Sequence, residues 1–174
     1  MGTNEWRDEH EWPLARTRFT PYYFHSGGSA NTLNGDGALS SQAPTDESPD
    51  SYEYNPAFPT PPLGGGSCCG DKVPRPGAFD QRDVEGRSDV LVYTSEPLNE
   101  DMEVTGPIEV RLWVSSSAVD TDFTAKLIDV YPSSRWYPDG YRLNLTDSIM
   151  RLRYRNGDGV PDFLMPGDVA EITI

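Results

Sequence analysis

Apolar and polar positions alternate strictly between residues 107 and 115. Ile108, Val110, Leu112 and Val114 fall on one side of the pattern, and Glu109, Arg111, Trp113 and Ser115 on the other. Successive side chains leave a strand on opposite faces, so a period of two marks a half-buried β-strand. Strands are expected over 89–94 and 123–130 as well. Another is expected over 148–155, where Met150, Leu152 and Tyr154 alternate with Ile149, Arg151, Arg153 and Arg155. A last strand is expected over 169–174. A shorter one centres on Tyr22, Tyr23 and Phe24 within 17–26, and residues 38–40 read as its return. No window keeps apolar residues at three- and four-residue spacing for three turns, so no amphipathic helix is expected.

Gly, Pro, Asn and Asp separate these runs. Asn34-Gly35-Asp36-Gly37 and Asn156-Gly157-Asp158-Gly159 read as tight connections, because Gly and Asn tolerate positive φ. Residues 131–140 form a further turn-rich stretch. Residues 41–86 hold eight prolines and the run Gly64-Gly65-Gly66. Such a segment forms neither a helix nor a central strand. Its aromatics, Tyr52, Tyr54, Phe58 and Phe79, point to an ordered connection rather than a solvated linker. Trp6 and Trp12, close together near the start, are expected to pack a connecting loop against a neighbouring surface. The fold class these elements predict is all-β, an antiparallel β-sandwich or jelly roll.

A length of 174 residues fits one domain with its own core. The formal charge of -14 excludes nucleic acid as a natural partner, since phosphate binding needs clustered Lys and Arg. It also speaks against an anionic membrane surface, and no apolar run approaches the length of a membrane span. Lys72 and Lys126 are the only lysines. The first residues lack the basic and apolar regions of a signal peptide.

Few residues offer chemistry. No G-x-S-x-G nucleophile elbow occurs, and Ser29 in Gly27-Gly28-Ser29 lacks its spacing. The only histidines are His10 and His25, both read as surface or packing residues rather than a catalytic base. Asp120 and Asp122 flank Thr121. They are close enough to hold a cation or work as an acid/base pair, but at a strand entrance the structural reading is preferred. The two Asn-Gly-Asp-Gly segments lack the remaining ligands of a calcium loop. Cys68 and Cys69 are adjacent, and two sulfurs without a nearby His do not make a zinc site. Asn144-Leu145-Thr146 fits the glycosylation pattern. No catalytic, cofactor or metal residue is therefore assigned. Trp136, Tyr137 and Tyr141, in Trp136-Tyr137-Pro138-Asp139-Gly140-Tyr141, are the best candidates for contact with a substrate rim or another domain.

Several ordered blocks carry a family resemblance. They are Gly2-Thr3-Asn4-Glu5-Trp6-Arg7 with Trp12-Pro13, Tyr54-Asn55-Pro56, Pro59-Thr60-Pro61 with Gly64-Gly65, and Asp80-Gln81-Arg82. The run from Arg87 to Ser95 with Pro97-Leu98 follows, then Val104-Thr105-Gly106-Pro107, Asp120-Thr121-Asp122-Phe123, Lys126-Leu127 and Asp129-Val130-Tyr131-Pro132. Together they resemble the C-terminal domain of X-prolyl dipeptidyl-peptidases and their relatives, the cocaine esterases, α-amino acid ester hydrolases and glutaryl acylases. The chain departs from the family pattern at 133–141, which is longer than the usual short turn. The resemblance implies a galactose-binding-domain-like jelly roll, incomplete at both ends. An α/β-hydrolase domain with a Ser-His-Asp triad would precede it, and the last strands would follow.

Two readings of function remain. One is an ancillary β-domain of a serine hydrolase acting on ester or amide bonds. Its partners would be the hydrolase domain of the same chain and a small-molecule or peptide substrate. The alternative is a free-standing jelly-roll binding module, for example one that binds carbohydrate.

Overall fold

In the computed structural model, residues 5–66 and 75–174 are described. The elements are β1 (Tyr23–His25), β2 (Ala38–Ser40), α1 (Arg82–Glu85), β3 (Arg111–Ser115), β4 (Asp122–Tyr131), β5 (Tyr141–Arg151) and β6 (Val169–Thr173), with a 3-10 turn over Leu152–Tyr154. They form an all-β sandwich of antiparallel pairs, β1 with β2, β3 with β6 and β4 with β5. Among the described residues the one α-helix is the single turn Arg82–Glu85, and it falls within 41–86, where the prolines predicted no helix.

The alternation around residue 112 becomes the β3–β6 pair. Leu112 faces Ile172 and Val114 faces Ala170, while Trp113 faces Glu171 on the other side. Val110 and Ile174 extend the ladder by exchanging backbone hydrogen bonds of 3.0 and 2.9 Å. Ile172 is 1% exposed and Trp113 71%, so the two faces have opposite solvation. Ile108, expected on the inner face, lies beyond the ladder and is exposed.

β4 and β5 form the long hairpin. Asp122 pairs with Arg151 and Lys126 with Asp147 across it, at 2.8 and 2.9 Å. Leu127 faces Thr146 but Ile128 faces Asn144, so Leu145 is an extra residue in a β-bulge. A bulge re-aims the side chains around it. Here Leu145 is left exposed, and the polar Asn144 is buried.

Three sequence expectations need correction. Residues 89–94 are not a continuous strand. Their backbone bonds are divided: the Val90 carbonyl accepts from Thr32 and the Val92 amide donates to Ala30, while Thr94 exchanges bonds with Gly37 and Leu39. Two short partners replace one long one, and only isolated bridges result. The strand expected over 148–155 starts earlier, at Tyr141, and ends at Arg151. The backbone then tightens into the turn, with the Leu152 amide held by the Thr121 carbonyl at 2.9 Å. Finally, Asn34-Gly35-Asp36-Gly37 does follow a turn, Gly35 N donating to Thr32 O at 3.2 Å, but the positive φ falls on Thr32 (68°) and not within the motif. A side chain on Gly37 would meet the Val92 carbonyl oxygen at 2.0 Å, so close backbone approach requires that glycine. In Asn156-Gly157-Asp158-Gly159 the turn reading does apply, since both glycines have φ of 74°.

The core is small for the mass. Leu14, Ala30, Val84, Leu152 and Ile172 are the buried hydrophobic side chains among the described residues. The accessible surface is 13127 Å² for 19.3 kDa. A compact chain of that mass exposes about 8,500 Å². Trp6 is wholly exposed and Trp12 largely so, so neither packs on the described residues.

Candidate functional site

The aromatic segment sits at the turn between β4 and β5. Tyr131 and Tyr141 close the hairpin as a cross-strand pair, and Tyr137 folds back between them. Its ring centroid lies 5.9 Å from that of Tyr131 and 4.9 Å from that of Tyr141, both tilted. Backbone bonds fix the loop: Ser134 N donates to the Tyr137 carbonyl at 2.8 Å, and so does Gly140 N at 2.9 Å. Tyr137 N donates to Ser134 Oγ at 3.1 Å. Gly140 is buried with φ of 73°, and a Cβ there would come within 2.7 Å of the Tyr131 carbonyl oxygen. Trp136 stays outside this stack, 73% exposed, with the Arg135 guanidinium 4.3 Å above its ring. The three residues singled out from the sequence are thus neighbours with different roles. Tyr141 and Tyr137 build the support, and Trp136 is presented to solvent. Burial pushes the Tyr131 phenol above its ordinary pKa, with Asp129 adding to the effect.

A polar layer holds the loop from beneath. Arg82 Nη1 donates to the Asp139 carbonyl at 3.1 Å, and its Nε to Asp80 at 2.8 Å. Asp80 bridges to β5 by accepting from Arg142 N at 3.3 Å. Gln81 is fully buried. Its Nε2 donates to the Leu63 and Phe79 carbonyls at 2.9 and 3.0 Å, and its backbone N to Arg142 O. Arg142 Nε lies 3.1 Å from Glu85 Oε2, which is buried and not aligned for a hydrogen bond. Burial pushes the Glu85 carboxyl up, against the opposing pull of Arg142. Arg135 and Tyr131, which stack on the site, were not singled out from the sequence. The alternation Tyr141, Leu143, Leu145 was the available signal that the strand begins inside the aromatic segment.

The other candidates lie apart. Asp120 accepts from Arg153 N and Nε at 2.9 and 2.7 Å, and Asp122 from Arg151 Nε and Nη2 at 2.8 and 3.0 Å. Both carboxylates are committed to arginines, and the Arg151 hydrogen bond holds Asp122 below its ordinary pKa. Among the described residues no three His, Cys, Asp or Glu side chains converge as a metal site. The Asn144 amide is only 3% exposed, so this sequon is inaccessible in the folded state. Cys68, Cys69 and Lys72 lie outside the described residues. Ser29 N donates to Asp36 Oδ1 at 3.2 Å and its carbonyl accepts from Asp36 N at 3.1 Å, and His10 is exposed.

His25 has the outline of a catalytic triad. Its Nδ1 lies 2.7 Å from Glu47, and Ser40 Oγ is 3.1 Å from Nε2. The Gln42 carbonyl, however, sits 2.9 Å from the same Nε2. A carbonyl oxygen only accepts, so an Nε2 that engages Gln42 carries the proton and offers Ser40 no lone pair.

The described residues form an all-β sandwich. The chain belongs to the family of the X-Pro dipeptidyl-peptidase C-terminal non-catalytic domain, whose pattern matches residues 1–174. It is 47% identical over 176 residues to the cocaine esterase of Rhodococcus sp. (strain MB1 Bresler), covering 100% of this chain and 29% of that protein. An aminopeptidase from a marine sediment Thaumarchaeota archaeon superposes with a TM-score of 0.77 and 30% identity, over 99% of this chain and 28% of that one. An α-amino acid ester hydrolase superposes at 0.73 with 31% identity, over 98% and 27%. The chain therefore spans less than a third of each relative's length.

Proposed function

We propose that this chain is the β-domain of a serine hydrolase acting on ester or amide bonds, and that it packs on the catalytic domain and shapes its entrance. The observation that carries this reading is the surface area. The excess over a compact chain is about 4,500 Å², several times the roughly 800 Å² per partner of a standard interface. Large apolar side chains such as Trp6, Trp12, Phe19, Trp113 and Val169 are part of this exposed surface. Exposed apolar area on this scale marks surfaces that other protein covers. A preceding hydrolase domain and further strands of the same sandwich supply that cover. The relatives' names, an esterase, an aminopeptidase and an ester hydrolase, support a parent that attacks carbonyl carbon. The nucleophile, its base and the oxyanion donors belong to that parent domain, not to these residues.

In this reading the described part of the 41–86 connection, residues 41–66 and 75–86, is ordered. Its anchors support the assignment: Asn31 Nδ2 to Ser51 O, Arg87 Nη2 to Phe58 O, and mutual backbone bonds of 2.8 and 3.0 Å between Gly65 and Gly77. Trp136 contacts substrate at the rim or the facing domain, and Tyr137 and Tyr141 hold it in place. Trp136→Ala and Tyr137→Ala in the complete hydrolase test this. At the rim, kcat/KM falls for bulky acyl groups and not for small ones. At a domain contact, the melting temperature falls instead. If neither changes, the contact role is wrong. Retention on a polysaccharide column, abolished by Trp136→Ala, would favour the carbohydrate-binding module.

A further inference from the structure

The connection between β2 and the rest of the chain is fastened by His25 in an unusual way. Both ring nitrogens face acceptors: Nδ1 the Glu47 carboxylate at 2.7 Å, and Nε2 the Gln42 carbonyl at 2.9 Å. Neutral imidazole has one N–H and satisfies only one of them, whereas imidazolium satisfies both. Glu47 uses its second oxygen to accept from Ser26 N at 3.1 Å, so one carboxylate joins the end of β1 to the 42–47 segment. Three residues on, Asp50 continues the fastening by accepting from Ser26 Oγ, Tyr93 OH and Ala30 N at 2.6, 2.6 and 2.8 Å.

We infer that His25, Glu47 and the Gln42 carbonyl form a proton-dependent latch that holds residues 41–49 against the β1–β2 hairpin and releases them when His25 loses its proton. The groups around the ring are few. Glu47 contacts it from the connection, and Ser40 Oγ from β2 at 3.1 Å. Asp36 is engaged by Gly27 N and Ser29 N, and Asp50 by the donors above, so neither carboxylate reaches the ring. The Glu47 hydrogen bond raises the His25 pKa above its ordinary value, and the His25 hydrogen bond lowers that of Glu47. The raised histidine contributes fully below its unfolded value near 6.5 and ceases to contribute as pH rises through the folded value. The lowered carboxylate contributes above its unfolded value near 4.5 and is lost as pH falls through the folded one. The latch is tightest between these two values.

Hydrogen exchange on the complete natural chain tests the latch, with the Val110 and Ile174 amides of the β3–β6 ladder as internal reference. After correction for intrinsic rates, protection of Ser26 and of the amides in 41–49 falls by about tenfold or more between pH 6 and pH 9, with the reference unchanged. His25→Gln removes the step, and Glu47→Gln moves it to lower pH. Ring nitrogen chemical shifts report both nitrogens protonated at pH 6. A neutral ring at pH 6, or exchange with the same pH profile in wild type and His25→Gln, overturns the inference.

Discussion

Leu112 and Ile172 face each other across β3 and β6, and Ile172 is 1% exposed; one residue along, Trp113 is 71% exposed opposite Glu171. A half-turn of the backbone therefore separates the best-buried contact of this sheet from its most open one. Truncating Ile172 to Ala removes buried carbon and leaves a cavity, at a cost of about 2–4 kcal/mol. In the complete protein Trp113→Ser reads the proposed cover: a loss above about 0.5 kcal/mol is expected of a covered side chain, and no more than that of one left in solvent. Denaturant melts of both variants in the complete protein read the difference directly. Val110→Asp should resemble Ile172→Ala, since Val110 continues the same face, and Arg111→Ser should resemble Trp113→Ser.

Asp120 and Asp122 have different costs. The Asp120 side chain is 12% exposed and holds both the backbone and the guanidinium of Arg153. Asp120→Ala leaves a half-buried arginine without its partner, and a loss of about 2–3 kcal/mol is expected. The Asp122 side chain is 35% exposed against an Arg151 at 53%, so Asp122→Ala costs less than about 1 kcal/mol. Equal losses in urea melts would contradict this ranking.

The acid side of the stability profile depends on Asp50. Burial alone would raise its pKa, but the Ala30 amide and the Ser26 and Tyr93 hydroxyls together outweigh burial and lower it. A lowered folded pKa contributes stability above the ordinary value near 3.8 and loses it as pH falls through the folded value. Asp50→Asn should flatten the decline of melting temperature in that range. An unchanged acid limb would assign the decline to other carboxylates.

The parts legible in the sequence were those where one strand faces one partner with one wet side. β3 and β6 are of that kind, and their faces follow from the alternation alone. The 89–94 run is continuously apolar from Val90 to Tyr93, but its partners are two short segments, 30–32 and 37–39, and the sequence pattern carries no information about that division. In β5 the pattern was present and misread. Tyr141, Leu143 and Leu145 alternate with Arg142 and Asn144, yet the strand was expected only from 148, after the turn-rich 131–140. The bulge then buries Asn144 and exposes Leu145, and no local rule predicts this without the Gly64–Gly65 segment that packs nearby. A side chain on Gly65 would meet Asp147 Oδ2 at 2.6 Å. The aromatic loop was legible as a cluster. Its division into a tyrosine support and an exposed tryptophan depends on the Tyr131–Tyr141 register, which the sequence does not state.

No hydrolysis of chromogenic esters or prolyl anilides above background is expected from the 174 residues. Among the described residues the serine hydroxyl in hydrogen-bond contact with a histidine ring is that of Ser40, and the Gln42 carbonyl competes for the same His25 Nε2. Turnover that persisted through purification and vanished in Ser40→Ala, Ser29→Ala or His25→Gln would place a nucleophile in this domain after all.

The central claim is that this surface is built to be covered by the rest of a hydrolase. Sedimentation velocity with thermal melts, on the 174-residue chain and on the complete hydrolase, tests it most directly. Exposed strand edges and apolar patches drive self-association. The short chain should run as oligomers, bind a hydrophobic dye and melt without a sharp transition, while the complete protein sediments as a discrete species and melts cooperatively. A compact monomer with a sharp, cooperative melt from the 174 residues alone would contradict the account.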